Sequence, residues 1–207
     1  MELREIKTYC INLEDRPERW EEVQEEVKKI DIEIERYPGI KWSPGWQGCL
    51  MTHKLLLELC RCKRYFMIIE DDILFLKGAK ENLESAISQL PDNWDMLYLG
   101  ATLNKPLDKV DKNLLRLKRG WATHGIIYNN QHGVADFILD AAPVTRVDEF
   151  IADDVQEKFN CFMCYPMVAT QRPGHSDVVN RYQPYTIISN RYKKYVEKYH
   201  GGNIFEG

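Results

Sequence analysis

Short apolar runs alternate along the chain with longer segments whose apolar residues recur every three or four positions. Residues 7–13 read as a buried strand, and residues 17–30 as a helix whose apolar face is Trp20, Val23, Val27 and Ile30. Asp15 with Glu18 three positions later resembles a capping box, and Pro17 suits a first helical turn. Residues 33–37 form a second expected strand. Pro38-Gly39 and Ser43-Pro44-Gly45 then punctuate a loop that carries Trp42 and Trp46. Residues 52–62 are apolar nearly all round, which predicts a buried helix.

The pattern continues with a strand over 65–69, a helix over 79–90 with face Leu83, Ala86, Ile87 and Leu90, and a strand over 95–99. Residues 121–128 predict another strand and 134–141 another helix. The lysine-rich stretch 102–119 is weakly patterned and is expected to be a mobile loop. From Arg181 the chain is an aromatic, basic tail with Tyr192, Tyr195 and Tyr199 at helical spacing. Its plainer reading is an amphipathic helix packed on the domain; the other is a membrane surface or glycan contact. Strands alternating with helices predict an α/β domain: a central, mainly parallel sheet flanked by helices. Ligands in such sheets gather at the carboxyl ends of strands, where Asn12, Glu70, Asp72 and Gly100 fall.

The length of 207 residues predicts one domain over 1–207, with 181–207 as its tail. With 28 basic and 32 acidic residues spread along the chain, there is no global attraction to nucleic acid, and none is expected as a partner. There is no apolar run of membrane-spanning length and the first residues are charged, so a cytoplasmic protein is expected, with peripheral membrane contact as an option. The pairs Cys60/Cys62 and Cys161/Cys164 lie in apolar surroundings. They predict reduced, mostly buried thiols rather than a zinc knuckle.

Candidate chemistry centres on Glu70, Asp71 and Asp72, three acids at the end of the apolar run 65–69. Such a cluster can hold a hard divalent cation against the phosphates of a nucleotide; a charged turn leaving the strand is the competing reading. Oxygen ligands suit Mn²⁺ or Mg²⁺ and not zinc. Alternation along the strand places Glu70 and Asp72 on one side and Asp71 on the other. That makes Asp72 the first metal ligand and Glu70 a further ligand or a ribose contact. The guanidinium forks of Arg16 and Arg19 suit phosphate, Arg16 better because it lies in a turn; Arg19 could equally pair with the acids of its own helix.

The segments Ile11-Asn12-Leu13-Glu14-Asp15-Arg16-Pro17-Glu18-Arg19, Gly48-Cys49-Leu50-Met51-Thr52-His53 and Ile69-Glu70-Asp71-Asp72 carry a resemblance. With them go Trp94-Asp95-Met96-Leu97-Tyr98-Leu99-Gly100, Val147-Asp148-Glu149-Phe150 and Ser176-Asp177. In this order they resemble glycosyltransferase family 25, which holds bacterial lipooligosaccharide galactosyltransferases and procollagen galactosyltransferases. The resemblance implies a GT-A type, Rossmann-like sandwich and metal-dependent, inverting transfer of a hexose, galactose or glucose, from a UDP-sugar. The acceptor hydroxyl would belong to a glycan, a lipooligosaccharide or a hydroxylysine-type protein. It also implies Asp148 as the base, with Asp153 and Asp154 as neighbours, although Asp153 reads better as a helix N-cap. Asn12, Arg16, His53, Glu70 and Ser176, all within these motifs, are the expected donor contacts, and Asp72, Glu70 and Asp177 the metal ligands; outside the motifs, Gln171 is a candidate sugar contact and His175 a candidate metal ligand. A lone histidine such as His53 is also the kind of residue that sits hydrogen-bonded in a core. A catalytically inactive nucleotide-sugar or glycan-binding module of the same fold is the alternative. A glycosidase is disfavoured, because paired carboxylates acting on a glycoside need no phosphate-binding metal cluster.

Overall fold

The computed structural model describes residues 1–143 and 145–196. In chain order the first half contains β1 (Lys7–Asn12), α1 (Pro17–Val27), β2 (Ile34–Pro38), α2 (Gly45–Cys60), β3 (Tyr65–Glu70), β4 (Ile73–Phe75), α3 (Ala79–Ser88) and β5 (Met96–Tyr98). There follow β6 (Thr102–Leu103), β7 (Asp108–Asp111), β8 (Leu114–Arg116), β9 (Gly120–Trp121), β10 (Gly125–Asn129), α4 (Val134–Asp140), α5 (Val147–Phe150) and α6 (Gln156–Lys158). The chain closes with β11 (Cys161–Cys164), β12 (Ala169–Gln171), β13 (Gly174–Ser176), β14 (Arg181–Gln183) and α7 (Thr186–Val196).

Eight strands make the central sheet in the order β2-β1-β3-β10-β5-β11-β8-β7. Six of them run in one direction, as the sequence pattern predicts, and β10 and β8 run against the rest. The reversal of β10 matters for the site, because it brings the loop before β10 to the carboxyl end of β3, with Gly125 opposite Ile69.

Alternation along the strands feeds two cores, one on each face of the sheet. Tyr9, Phe66, Ile68, Tyr98 and Ile126 pack with Leu56 and Leu57 of α2, Ile138 of α4, Phe150 of α5 and Ile188 and Tyr192 of α7. Cys10, Met67, Ile69, Leu97 and Ile127 pack on the other face with Val23 and Val27 of α1 and Leu83 and Ala86 of α3. Each fully buried leucine or isoleucine in these layers contributes roughly 1.5–3 kcal/mol.

Several expectations are corrected. α2 begins at Gly45, well before residue 52, and it is not buried all round: Met51, Leu55 and Leu59 are 42%, 52% and 53% exposed on its outer face. The stretch 102–119 is not a mobile loop. Its leucines Leu103, Leu107, Leu114, Leu115 and Leu117 are buried, and β7 and β8 form a hairpin at the sheet edge. Spread lysines hide that alternation in the sequence. Arg16 caps α1 without a side-chain bond, and Asp15 pairs with Lys41 instead of closing a capping box. The plainer reading of the tail holds over residues 186–196: α7 packs on the domain, burying Ile188, Tyr192 and Val196, and Tyr195 packs against the same core. Tyr199 lies outside the described residues. All six cysteines are free thiols, four of them buried. No helix among the described residues is long and apolar enough to cross a membrane.

Candidate functional site

β1 and β3 are parallel neighbours, so Asn12 and Glu70 end side by side at the carboxyl edge of the sheet. β3 stops at Glu70, and Asp71 and Asp72 form a turn before β4. Strand alternation therefore stops at Glu70, and the three acids take three sets of partners. Asp71 turns toward β1 and α1, accepting from Asn12 Nδ2 at 2.6 Å and from Arg19 at 3.1 Å. Glu70 Oε1 accepts from Thr123 Oγ1 at 2.6 Å and lies 3.3 Å from His53 Nε2. Asp72 is bonded by Gln171 Nε2 at 3.2 Å, because the pairing of β12 with β4 sets Gln171 opposite Ile73.

Charge is concentrated here with little to balance it. Burial, with Glu70 and Asp71 beside it, pushes the Asp72 carboxyl up to about 7. Burial raises Asp71 as well, against the pull of Asn12 and Arg19. Burial acts on Glu70 in the same direction, but hydrogen bonds from His53 and Thr123 outweigh it and hold that carboxyl below its ordinary value. Among the described residues the donors bonded to the Asp72 carboxylate are neutral, the Gln171 amide and the Tyr185 hydroxyl, which also meets Ser176, while the Arg19 charge acts on it without a bond.

The hairpin β13–β14 closes one side. Arg16 pairs with Asp177 at 2.8 Å and with Glu18 at 2.7 Å, and Arg19 donates to the His175 carbonyl. Arg19 thus faces the site and not the acids of its own helix. Asn12 is 1% exposed and gives its amide hydrogens to Asp71 and the Arg16 carbonyl. Asp177 is held by Arg16, and Glu70, Asp72 and Asp177 do not form a set of ligand atoms within 4.8 Å. The described residues that do are Cys49, His53 and Glu70. His175 is exposed, and its carbonyl accepts from Arg19.

Asp148 lies in the first turn of α5, where its carboxylate accepts the Glu149 N–H at 3.0 Å and the Ala122 N–H. Burial, then Glu70, raises its carboxyl above the ordinary value. Asp153 caps no helix start and pairs with Arg119. His53 is 1% exposed, hydrogen-bonded at Nε2 and without a partner at Nδ1.

Residues that sequence reasoning passed over complete the wall: Cys49, Thr123, His124 and Tyr185. Ala122 holds φ of 77°, a left-handed conformation rare outside glycine, and so turns the chain to aim Thr123 at Glu70. His124 is fully buried against the Ala169 backbone, and burial lowers it to about 4 against the opposing pull of Glu70 and the Ala169 carbonyl. Cys49 was legible only as part of a motif, and Thr123 carried no signal at all. The donor set at Asp72 fits a hard divalent cation, which prefers carboxylate oxygens and would offset charge that neutral donors cannot.

The model of glycosyltransferase family 25, described as LPS biosynthesis protein, matches residues 35–160, more than half of the chain. A provisionally named glycosyltransferase of Haemophilus influenzae is 37% identical over 81 residues, 38% of this chain and 28% of that protein. A glycosyltransferase 25 family member of Drosophila melanogaster is 24% identical over 184 residues, 70% of this chain and 30% of that protein. The chain thus spans less than a third of the length of these curated relatives. Among solved structures, a glycosyltransferase involved in the glycosylation of the major capsid of PBCV-1 aligns with a TM-score of 0.49. Its identity is 10%, over 83% of this chain and 94% of that one.

Proposed function

The chain belongs to glycosyltransferase family 25, and on that premise we propose that it moves a hexose, galactose or glucose, from a UDP-sugar to an acceptor hydroxyl with inversion. The observation that carries this reading is Asp72, a buried carboxylate at the carboxyl end of β3 beside two further acids and bonded, among the described residues, by neutral donors. Asp72 would hold Mn²⁺ or Mg²⁺ with Glu70 beside it, and the ion would supply charge stabilisation to the diphosphate leaving group. Asp177 joins that set only if the hairpin clamped by Arg16 shifts.

The remaining work falls to the chain's own groups. Arg16, in the turn after β1, presents its fork to phosphate once Asp177 releases it. Gln171 and Ser176 line the Asp72 side, where they hold the donor, and buried Asn12 supports the β1 side by fixing Asp71 and the Arg16 turn. His53 and Thr123 fix the orientation of Glu70. Asp148 takes the acceptor hydroxyl's proton at its carboxylate; two backbone N–H bonds hold it still, and its raised proton affinity suits a base at neutral pH. A glycan, lipooligosaccharide or hydroxylysine-type protein supplies the hydroxyl. The basic, aromatic α7 would allow contact with a membrane surface from the cytoplasm.

The test is thermal stabilisation by UDP and UDP-sugars with Mn²⁺, followed by product formation. A melting temperature that rises with uridine nucleotide concentration, and a Mn²⁺-dependent part that Asp72→Ala abolishes, are the expected results. Full turnover of that variant, or turnover in excess chelator, overturns the metal role. A shift with another nucleotide class alone overturns the donor. Binding without product on any acceptor leaves the inactive binding module.

A further inference from the structure

Beside Glu70 lies a thiol and imidazole pair: the imidazole steadies Glu70, and the thiol has no part in the transfer chemistry. Cys49 and His53 stand four residues apart on α2, hence on one helical face, and that face meets the end of β3. Cys49 Sγ, a His53 ring nitrogen and a Glu70 carboxylate oxygen all lie within 4.8 Å of one another. We propose that Cys49, His53 and Glu70 form a second cation site, one for a thiolate-seeking divalent ion such as Zn²⁺, separate from the hard-cation position at Asp72.

The spacing that lets His53 and Glu70 hydrogen-bond also suits a shared ion. His53 Nε2 and Glu70 Oε1 are 3.3 Å apart, longer than the ~2.7–2.9 Å of a charge-assisted bond. Two ligands on a tetrahedral zinc with bonds of about 2.0–2.1 Å stand roughly 3.3–3.4 Å apart. Sulfur, bonded at ~2.3 Å, lies within 4.8 Å of both other ligand atoms, and rotation of the Cys49 side chain would bring it to the third position. The Thr123 hydroxyl, already on Glu70 at 2.6 Å, is the outer hydrogen bond that orients a ligating carboxylate.

Ligand chemistry then sorts two ions over two neighbouring positions. Thiolate and imidazole select zinc over manganese or magnesium, whereas the oxygens of Asp72 select the reverse. His53 is buried while Glu70 keeps 21% of its side chain exposed, so an ion enters from the Glu70 side. Binding exchanges the Cys49 thiol proton for the metal and releases that proton to solvent, which balances the step. Three protein ligands leave a fourth position for water. Because Glu70 borders both positions, zinc here opposes Mn²⁺-dependent transfer.

Cobalt is the probe, added to the reduced full chain. One equivalent of Co²⁺ should produce a near-ultraviolet thiolate-to-cobalt band and intense visible bands of a tetrahedral ion, both bleached by one equivalent of Zn²⁺. Cys49→Ser should lose the ultraviolet band and weaken Zn²⁺ binding by at least about 100-fold, the upper range for losing a mere outer partner. Asp72→Ala should keep both bands, which separates this position from the hard-cation site. Should Cys49→Ser fail to fold, His53→Gln reads the same point through loss of the visible bands. Absence of a thiolate band in the wild-type protein overturns the proposal, as does an undiminished band in Cys49→Ser, which would place the ion on another cysteine. These spectra do not depend on turnover, so their failure is distinct from failure of the glycosyl transfer reading.

Discussion

Thr123 donates its hydroxyl to Glu70 Oε1 at 2.6 Å, although 53 positions separate them in the chain and the strand that Thr123 leads into runs against the one that Glu70 ends. Because β10 is reversed, its entry lies where β3 exits, and the left-handed turn at Ala122 aims the side chain. The same turn sends the Ala122 N–H to Asp148. One loop therefore steadies two carboxylates that the sequence places far apart.

Thr123→Val keeps the shape and removes that donor. Glu70 then loses a bond of the kind worth ~1.5–3 kcal/mol to a charged group, and its carboxyl rises. Stability should fall by about that amount in denaturant titration, and the acid limb of the transfer rate should move to higher pH. Thr123→Ser should restore both. A valine variant that matches the wild type in both measurements removes Thr123 from the site.

Asp148→Asn preserves the backbone N–H contacts in size but cannot accept a proton at neutral pH. Transfer should slow by roughly 10²-fold or more, the usual scale for loss of a general base, while calorimetric affinity for the donor barely moves. Collapse of donor affinity along with rate would make Asp148 a binding or structural residue and turn attention to Asp154.

His124 provides a pH signature. Burial lowers it to about 4 in the folded protein from an ordinary value of 6.5. Below 6.5 the unfolded chain therefore binds a proton that the folded one refuses. Stability from this group is complete above pH 6.5 and is lost as pH falls toward 4, by up to roughly 3 kcal/mol. Asp72, raised to about 7, acts with opposite sign over much the same interval, so the measurement is the difference between wild type and His124→Gln against pH. A flat difference would show that His124 is paired or exposed in solution.

Gly45→Ala tests the seating of the β13–β14 hairpin. A Cβ at Gly45 would stand 2.0 Å from the Asp177 carbonyl oxygen, a backbone atom with no rotamer to yield. Alanine would otherwise favour the helix by up to ~1 kcal/mol, but overpacking costs about 1–3 kcal/mol, so the melting temperature should drop. The donor KM should rise as the Arg16–Asp177 pair is displaced. An unchanged or higher melting temperature would mean that the hairpin does not rest on α2.

What the sequence determined by itself is local. The 3.6-residue period of α1, α3 and α4 and the apolar runs of β1, β3 and β5 are set by neighbours a few positions apart, so these elements are legible to within a few residues. The gathering of Asn12, Glu70 and Asp72 at one sheet edge follows from the same reading, because strand ends in an α/β sheet share an edge. Tertiary structure decided the rest. Strand direction depends on which sheet edge a segment meets, and nothing within residues 125–129 states that β10 enters between β3 and β5 reversed. The early start of α2 rests on two glycines whose need is visible only once Ile40 and Asp177 press against them. The three-way division of Glu70, Asp71 and Asp72 is the clearest case. Alternation predicts two sides for three consecutive residues, but once the strand ends each carboxylate turns to the donor that distant chain brings within reach, Thr123, Arg19 or Gln171.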